Sequence, residues 1–292
     1  MANTVAVGIW YHLLWIGSFG LALAVAEYRW PAGQRPTFTA LAGNILIIVL
    51  VMGLLGPASV YADSFYGWLS VNGLVGVAFG ERHPRTTTGL IAVTIVYVFV
   101  WDFFQYWFHR AEHKFAILWH VHALHHDDEN VNWTTSQRNT CWSALLHFFL
   151  VNVPTVMVCG LDLLPIAGAY LFFKTYGLFN HANIRVDLGL LTPVISGPQW
   201  HRIHHGRDDE YFNKNFAAFF PVLDIVFGTY RRPLPNEYPA TGLSDRRQAS
   251  LSLKHLLQNV FGVATGRSSE KAIDPDLKYS HSEPIARVRA TF

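Results

Sequence analysis

Three short histidine boxes constrain this chain more than any other feature of it. The first reads His109-Arg-Ala-Glu-His113, the second His122-Ala-Leu-His125-His126 and the third His201-Arg-Ile-His204-His205. The chain holds 15 histidines, and more than half of them fall in these boxes. On a helix, residues three and four apart share a face. Each box therefore presents two or three imidazoles from one side of one helix. Eight imidazoles directed at a common point are too many for one metal ion and suit two. Neutral imidazole is a ligand for Fe, Zn, Cu and Ni. A single helical histidine is ordinarily a satisfied core or surface residue; the repeated spacing is what points to metal.

The rest of the composition says where such a site sits. Hydrophobic residues make up 51% of the 292 positions and charged residues only 14%, with a mean hydropathy of +0.21. Soluble domains carry about 25% charged residues, so an all-α integral membrane protein is expected. A formal charge of +2, with no basic run, gives nucleic acid nothing to bind. Cys141 and Cys159 both lie in an apolar stretch and offer neither a disulfide framework nor a zinc-finger spacing.

Residues 5–26 are nearly unbroken in their apolarity and long enough to span a bilayer. No Lys or Arg precedes them, which favours a retained helix over a cleaved signal peptide. Residues 39–55 form a second span, ended by Gly56-Pro57, and residues 89–108 a third that runs directly into His109. Residues 59–80 mix Asp63 and Asn72 with aromatic side chains and are ambiguous: an interfacial helix, a re-entrant helix and a further span all fit. Residues 141–160 and 163–179 could each span, or pair as a short hairpin. All three boxes must meet on one side of the bilayer. Arg29, Arg35 and the basic residues of the tail share that side, and the positive-inside rule makes it cytosolic. The expectation is four to five membrane helices with a cytosolic helical cap that carries a histidine-rich dimetal site. It is one domain, residues 1–292, in three parts: N-terminal membrane helices (about 1–88), a histidine-box core (89–232) and a cytosolic tail (233–292). In that tail Leu251, Leu253, Leu256, Leu257, Val260 and Phe261 make an amphipathic stripe.

Asp102 lies seven residues before His109, two turns up the same face. An acid within a span is expensive. Here it is expected to hold a metal-bound imidazole by its other N–H. Two rival readings exist. His109-Arg-Ala-Glu-His113 fits the inverted zinc motif His-x-x-Glu-His, which would make Glu112 the general base of a membrane zinc metallohydrolase. That reading leaves both His-x-x-His-His boxes unexplained. A metal transporter would place its ligands within the spans, along a path, whereas these lie just beyond span ends. His120 falls two residues from His122 and so off the ligand face. No NAD, flavin or haem-attachment motif occurs.

The boxes and the words around them resemble the fatty acid hydroxylase and sterol desaturase superfamily. Those words are Tyr106-Trp107-Phe108-His109-Arg110, Leu118-Trp119, Asn180-His181-Ala182-Asn183, His205-Gly206-Arg207, Lys214-Asn215-Phe216 and Phe227-Gly228-Thr229-Tyr230. Thr192-Pro193, the His-His-Gly-Arg and the Lys-Asn-Phe are most similar to the alkylglycerol monooxygenase branch. The resemblance implies a membrane non-haem di-iron enzyme, with His109, His113, His122, His125, His126, His201, His204 and His205 as ligands and His181 as a ninth. It implies two Fe ions, with Zn possible in a purified sample because imidazole binds it more tightly. It implies O2, an electron-transfer protein or reductase, and a lipid substrate that is hydroxylated or desaturated. The host would be the endoplasmic reticulum in a eukaryote or the inner membrane in a bacterium. Many members carry a further histidine near position 140, where this chain has Thr140.

Overall fold

The computed structural model describes residues 2–76, 86–160 and 163–243. Among these residues the protein is helical, with two isolated β-bridges, Pro31 to Ile184 and Gly206 to Thr241, and no longer strand. The order is α1 (Ala2–Arg29), α2 (Phe38–Leu55), α3 (Ser59–Val71), α4 (Thr87–Lys114), α5 (Ala116–His126), α6 (Cys141–His147), α7 (Val153–Cys159), α8 (Leu163–His181), α9 (Pro198–His204) and α10 (Val222–Val226). The amphipathic stripe expected at residues 251–261 lies outside the described residues.

Three described segments are long and apolar enough to cross a membrane: α2, α4 and the stretch Cys141–Cys159, with mean hydropathies of 2.5, 1.8 and 1.6. Ile45, Val49, Ile91, Ile95 and Phe99 on α2 and α4 are exposed. Such a contiguous apolar surface is unfavourable in water and costs nothing in lipid. In the third stretch α6 and α7 are joined by a π-helical turn, Phe148–Asn152, and Gly160 at φ +99° ends α7. At 13 residues α3 is too short to span, since a crossing helix needs about 20.

Helix α4 positions the site. Thr86 caps its start by accepting the Gly89 N–H at 3.2 Å. Its 28 residues make a rod about 42 Å long, more than the roughly 30 Å of hydrocarbon in a bilayer. Its histidine-bearing end can therefore stand clear of the lipid. One extended residue, Phe115 (φ −105°, ψ 124°), then breaks the helix, and α5 folds back against α4. The first and second boxes face each other for this local reason.

The third box reaches the same place through two buried networks. Tyr106 of α4 and Trp200 of α9 share a core with Phe216, Ala217 and Leu223. At the other side Glu27, at the end of α1, accepts the backbone N–H groups of Trp133 (2.8 Å) and Asn183 (2.9 Å). The Asn183 side-chain oxygen accepts from Gly33 N at 2.8 Å and from the Arg202 guanidinium at 3.2 Å. A side chain at Gly33 would collide with that guanidinium. Asn183 thus ties α1, the end of α8 and α9 into one unit.

Candidate metal centre

All nine predicted histidines converge. Five of them, His109, His113, His122, His126 and His204, form one group, and His125, His181, His201 and His205 form a second. Within each group the available ligand nitrogens lie within 4.8 Å of one another. The first group draws on α4, α5 and α9. The second draws on α5, α8 and α9, with His205 as the residue that caps α9. The groups adjoin where the His126 and His205 rings stack, their centroids 4.4 Å apart.

The spacing of the nitrogens is informative. His126 Nε2 lies 3.1 Å from the Nε2 atoms of His113, His122 and His204. His181 Nε2 lies 3.1 Å from His125 Nε2 and 2.9 Å from His201 Nε2. A single Nε2 carries at most one hydrogen, so His126 cannot be hydrogen-bonded to three others at once. A metal–imidazole bond is about 2.1 Å. The adjacent ligands of an octahedron are then about 3.0 Å apart and those of a tetrahedron about 3.4 Å. The observed separations match the octahedral edge.

The outer nitrogens explain why the rings point inward. His109 Nδ1 lies 2.9 Å from the Phe216 carbonyl, His204 Nδ1 2.8 Å from that of Lys214, and His181 Nδ1 2.8 Å from that of Gly177. A carbonyl only accepts, so each Nδ1 donates and each Nε2 is left with a lone pair facing the cluster. The Lys214-Asn215-Phe216 word gains a physical meaning here. Asn215 sits at φ +62°, which suits Asn better than most side chains. Its buried amide bonds the carbonyls of Trp200 and Arg231 and the Arg231 N–H. That turn aims the two neighbouring carbonyls at two different histidines.

Burial keeps five of these rings neutral. His125, His126, His201, His204 and His205 all sit well below the usual histidine pKa, first because burial disfavours the charged ring and then because the other imidazoles would repel it. His109 Nε2 and both nitrogens of His205 are buried without a hydrogen-bond partner. An unsatisfied buried polar atom costs about 1–3 kcal/mol, and a cation would satisfy several at once. The donor set thus fits two divalent transition metals of five- or six-coordinate preference.

Asp102 corrects the expectation for it. It is fully buried, but its carboxylate holds no imidazole among the described residues. It accepts the backbone N–H groups of Ala218 (2.7 Å), Phe219 (3.0 Å) and Phe220 (2.6 Å). Seven-residue spacing placed it on the His109 face, but the 218–220 loop reaches it first. The loop it holds follows Phe216, whose carbonyl meets His109 Nδ1. The carboxylate that does meet a predicted ligand is Glu112, whose Oε2 lies 3.2 Å from His122 Nδ1 while Oε1 accepts the Ser143 hydroxyl at 2.9 Å. Its place three residues after His109, inside the first box, was the available clue. His120 stays out of both groups, its Nδ1 2.6 Å from the Ala116 carbonyl.

Residues 94–229 match the fatty acid hydroxylase family. Alkylglycerol monooxygenase of Homo sapiens is 29% identical over 170 residues, 56% of this chain and 36% of that protein. An ornithine lipid hydroxylase of Rhizobium tropici is 27% identical over 231 residues, 77% of this chain and 68% of its own. A methylsterol monooxygenase of Aspergillus fumigatus is 25% identical over 170 residues, 56% of this chain and 55% of its own. The chain spans about a third of the length of the alkylglycerol monooxygenases it matches. No solved structure matches it. The segment that carries the three boxes, residues 94–229, is the part of the chain that matches the fatty acid hydroxylase family.

Proposed function

We propose that this chain is a membrane di-iron oxygenase that hydroxylates or desaturates a C–H bond of a lipid, whether fatty acyl, sterol or ether lipid. The observation that carries this reading is the pair of adjoining all-imidazole groups, five and four strong, with octahedral edge spacing. Tetrahedral structural zinc takes four ligands at wider spacing; iron accepts five or six. Two iron ions held by these histidines would supply the reductive activation of O2 that an unactivated C–H bond requires. The chain's own part is to fix the rings through the Nδ1 anchors, to exclude water and to place one substrate carbon. Phe216 and Trp119 pack against the His113 ring, centroids 5.1 Å away in each case. An apolar recess of about 300 Å³, lined by Phe99, Val100, Phe103, Phe104 and Val158, opens on α4 up to three turns before His109 and suits an acyl chain. Trp107 packs on Phe227, centroids 4.8 Å apart.

On this reading α1, α2, α4, the α6–α7 segment and α8 cross the membrane, and α5, α9 and the segment beyond form a cytosolic cap. A reductase or electron carrier docks on that cap. The relatives' names speak of alkylglycerol, methylsterol and ornithine lipid, which supports a lipid substrate without choosing one. The metallohydrolase alternative needs Glu112 free to activate water, yet Ser143 and His122 engage both of its oxygens.

The test is elemental analysis of the chain purified in detergent from iron-supplemented cells, followed by 18O2 turnover with a chemical reductant and a lipid panel. About two irons per chain and 18O in a lipid product, or an O2-dependent double bond, are expected. One tightly held zinc would sink the reading in favour of hydrolysis, and no retained metal would favour transport.

A further inference from the structure

A second set of polar side chains lies among apolar helices, on the membrane side of the histidine cluster. Lys174 occupies the same face of α8 as His181, two turns earlier and about 10 Å along the axis. Gln105 stands one turn before His109 on α4. His147, at the end of α6, packs between Trp101 (centroids 5.4 Å apart) and Phe108 (6.0 Å), which flank Gln105 on its helix face. Trp101 in turn stacks on Phe173, the neighbour of Lys174, at 3.8 Å. These ring contacts bring the stretches of α4, α6 and α8 that carry Gln105, His147 and Lys174 together.

Their hydrogen bonding is incomplete. Lys174 Nζ donates to Gln137 Oε1 at 3.1 Å and lies 5.7 Å from the Tyr170 ring centre, but an ammonium has three donors. Among the described residues no carboxylate lies within ion-pair distance of it. Gln105 Oε1 is buried without a partner. A cation within apolar helices is expensive, and where it persists it ordinarily serves a ligand or a partner. Packing does not explain a lysine here, since a leucine would fill the same space without the desolvation.

We infer that Lys174, with Gln105 and His147 beside it, forms a recognition site for the oxyanion of a lipid, a carboxylate or a phosphate. Lys174 supplies the charge, and Gln105 and His147 supply donors around it. This inference rests on the lipid-oxygenase reading and adds to it a substrate class and a position. An oxyanion held about 10 Å along α8 from His181 puts the oxidised carbon near the polar end of the lipid rather than at its far tip.

The test is competitive binding to the purified full chain in a non-ionic detergent. Palmitate, hexadecyl phosphate and hexadecanol share one chain length and differ only in the head. Each displaces a neutral fluorescent lipid, with no turnover required. At least one of the two anions is expected to bind about tenfold more tightly than hexadecanol, as one charge-assisted hydrogen bond allows, and the better anion identifies the head. Lys174→Gln is expected to abolish the preference and Lys174→Arg to retain it, with metal content unchanged in both. Equal binding of all three lipids by the unaltered chain would overturn the inference. So would a preference that survives in Lys174→Gln, or a loss of hexadecanol along with the anions. A chain that shows the preference yet forms no oxidised lipid would refute the oxygenase reading and leave the anion site standing.

Discussion

The Glu112 carboxylate lies 3.2 Å from His122 Nδ1 and is held in place from its other oxygen by the Ser143 hydroxyl. The first box thereby orients a ligand of the second. Outer partners of this kind typically change metal affinity by 10–100-fold when removed. Glu112→Ala is therefore expected to weaken metal binding within about that range. Glu112→Gln keeps an acceptor oxygen and is expected to lose less than about tenfold. Chelator competition on the purified variants measures both. Complete loss of activity in Glu112→Gln with metal fully retained would instead mark Glu112 as a proton-transfer group.

The two histidine groups can be separated. His125→Ala removes a ligand only from the group of four, and His126→Ala only from the group of five. Each is expected to lower the metal content from about two per chain towards about one, and to abolish oxygenation. Loss of both metals in both variants would show that the groups bind as a single unit.

Asp102 is a stability residue on this structure. It satisfies three partly buried N–H groups, each costing up to about 1–3 kcal/mol if orphaned. Asp102→Ala is expected to destabilise the chain by about 3 kcal/mol or more, read as a lower thermal midpoint in detergent. Unchanged stability with loss of metal would restore a direct role at the imidazoles.

Acid should unfold the metal-free chain. His125, His126, His201, His204 and His205 are held neutral by burial in the folded state, below the usual value of 6.5. Unfolded, each takes up a proton near that value. The unfolded state then binds more protons, so stability is fully present above about pH 6.5 and falls as the pH drops below it. Each histidine can contribute up to about 1.4 kcal/mol per pH unit. Denaturation of chelated protein between about pH 5 and 7.5 checks this, and a flat profile would contradict it.

The boxes were readable because three- and four-residue spacing is a property of one helix, whatever surrounds it. Their convergence was readable only from their number. Asp102 was misread because helical spacing names a face and not a neighbour: the 218–220 loop, more than a hundred residues away, supplies its partners. The same limit hid Asn215, whose αL turn aims the Lys214 and Phe216 carbonyls. Residues 59–80 read as ambiguous, and α3 accounts for the first part of them with a helix too short to cross. The cap at residues 116–126 was visible as a box but not as a helix folded back at Phe115. Nothing in Phe115 itself demands an extended backbone.

That one-residue break at Phe115 has a consequence for how the protein is made. Four of the five ligands in the first group lie between residues 109 and 126, so they meet as soon as α5 turns back on α4. The second group waits for His181, His201 and His205, across a much longer loop with a larger closure entropy. As the chain leaves the ribosome, one half of the centre can take shape while the other is still unmade.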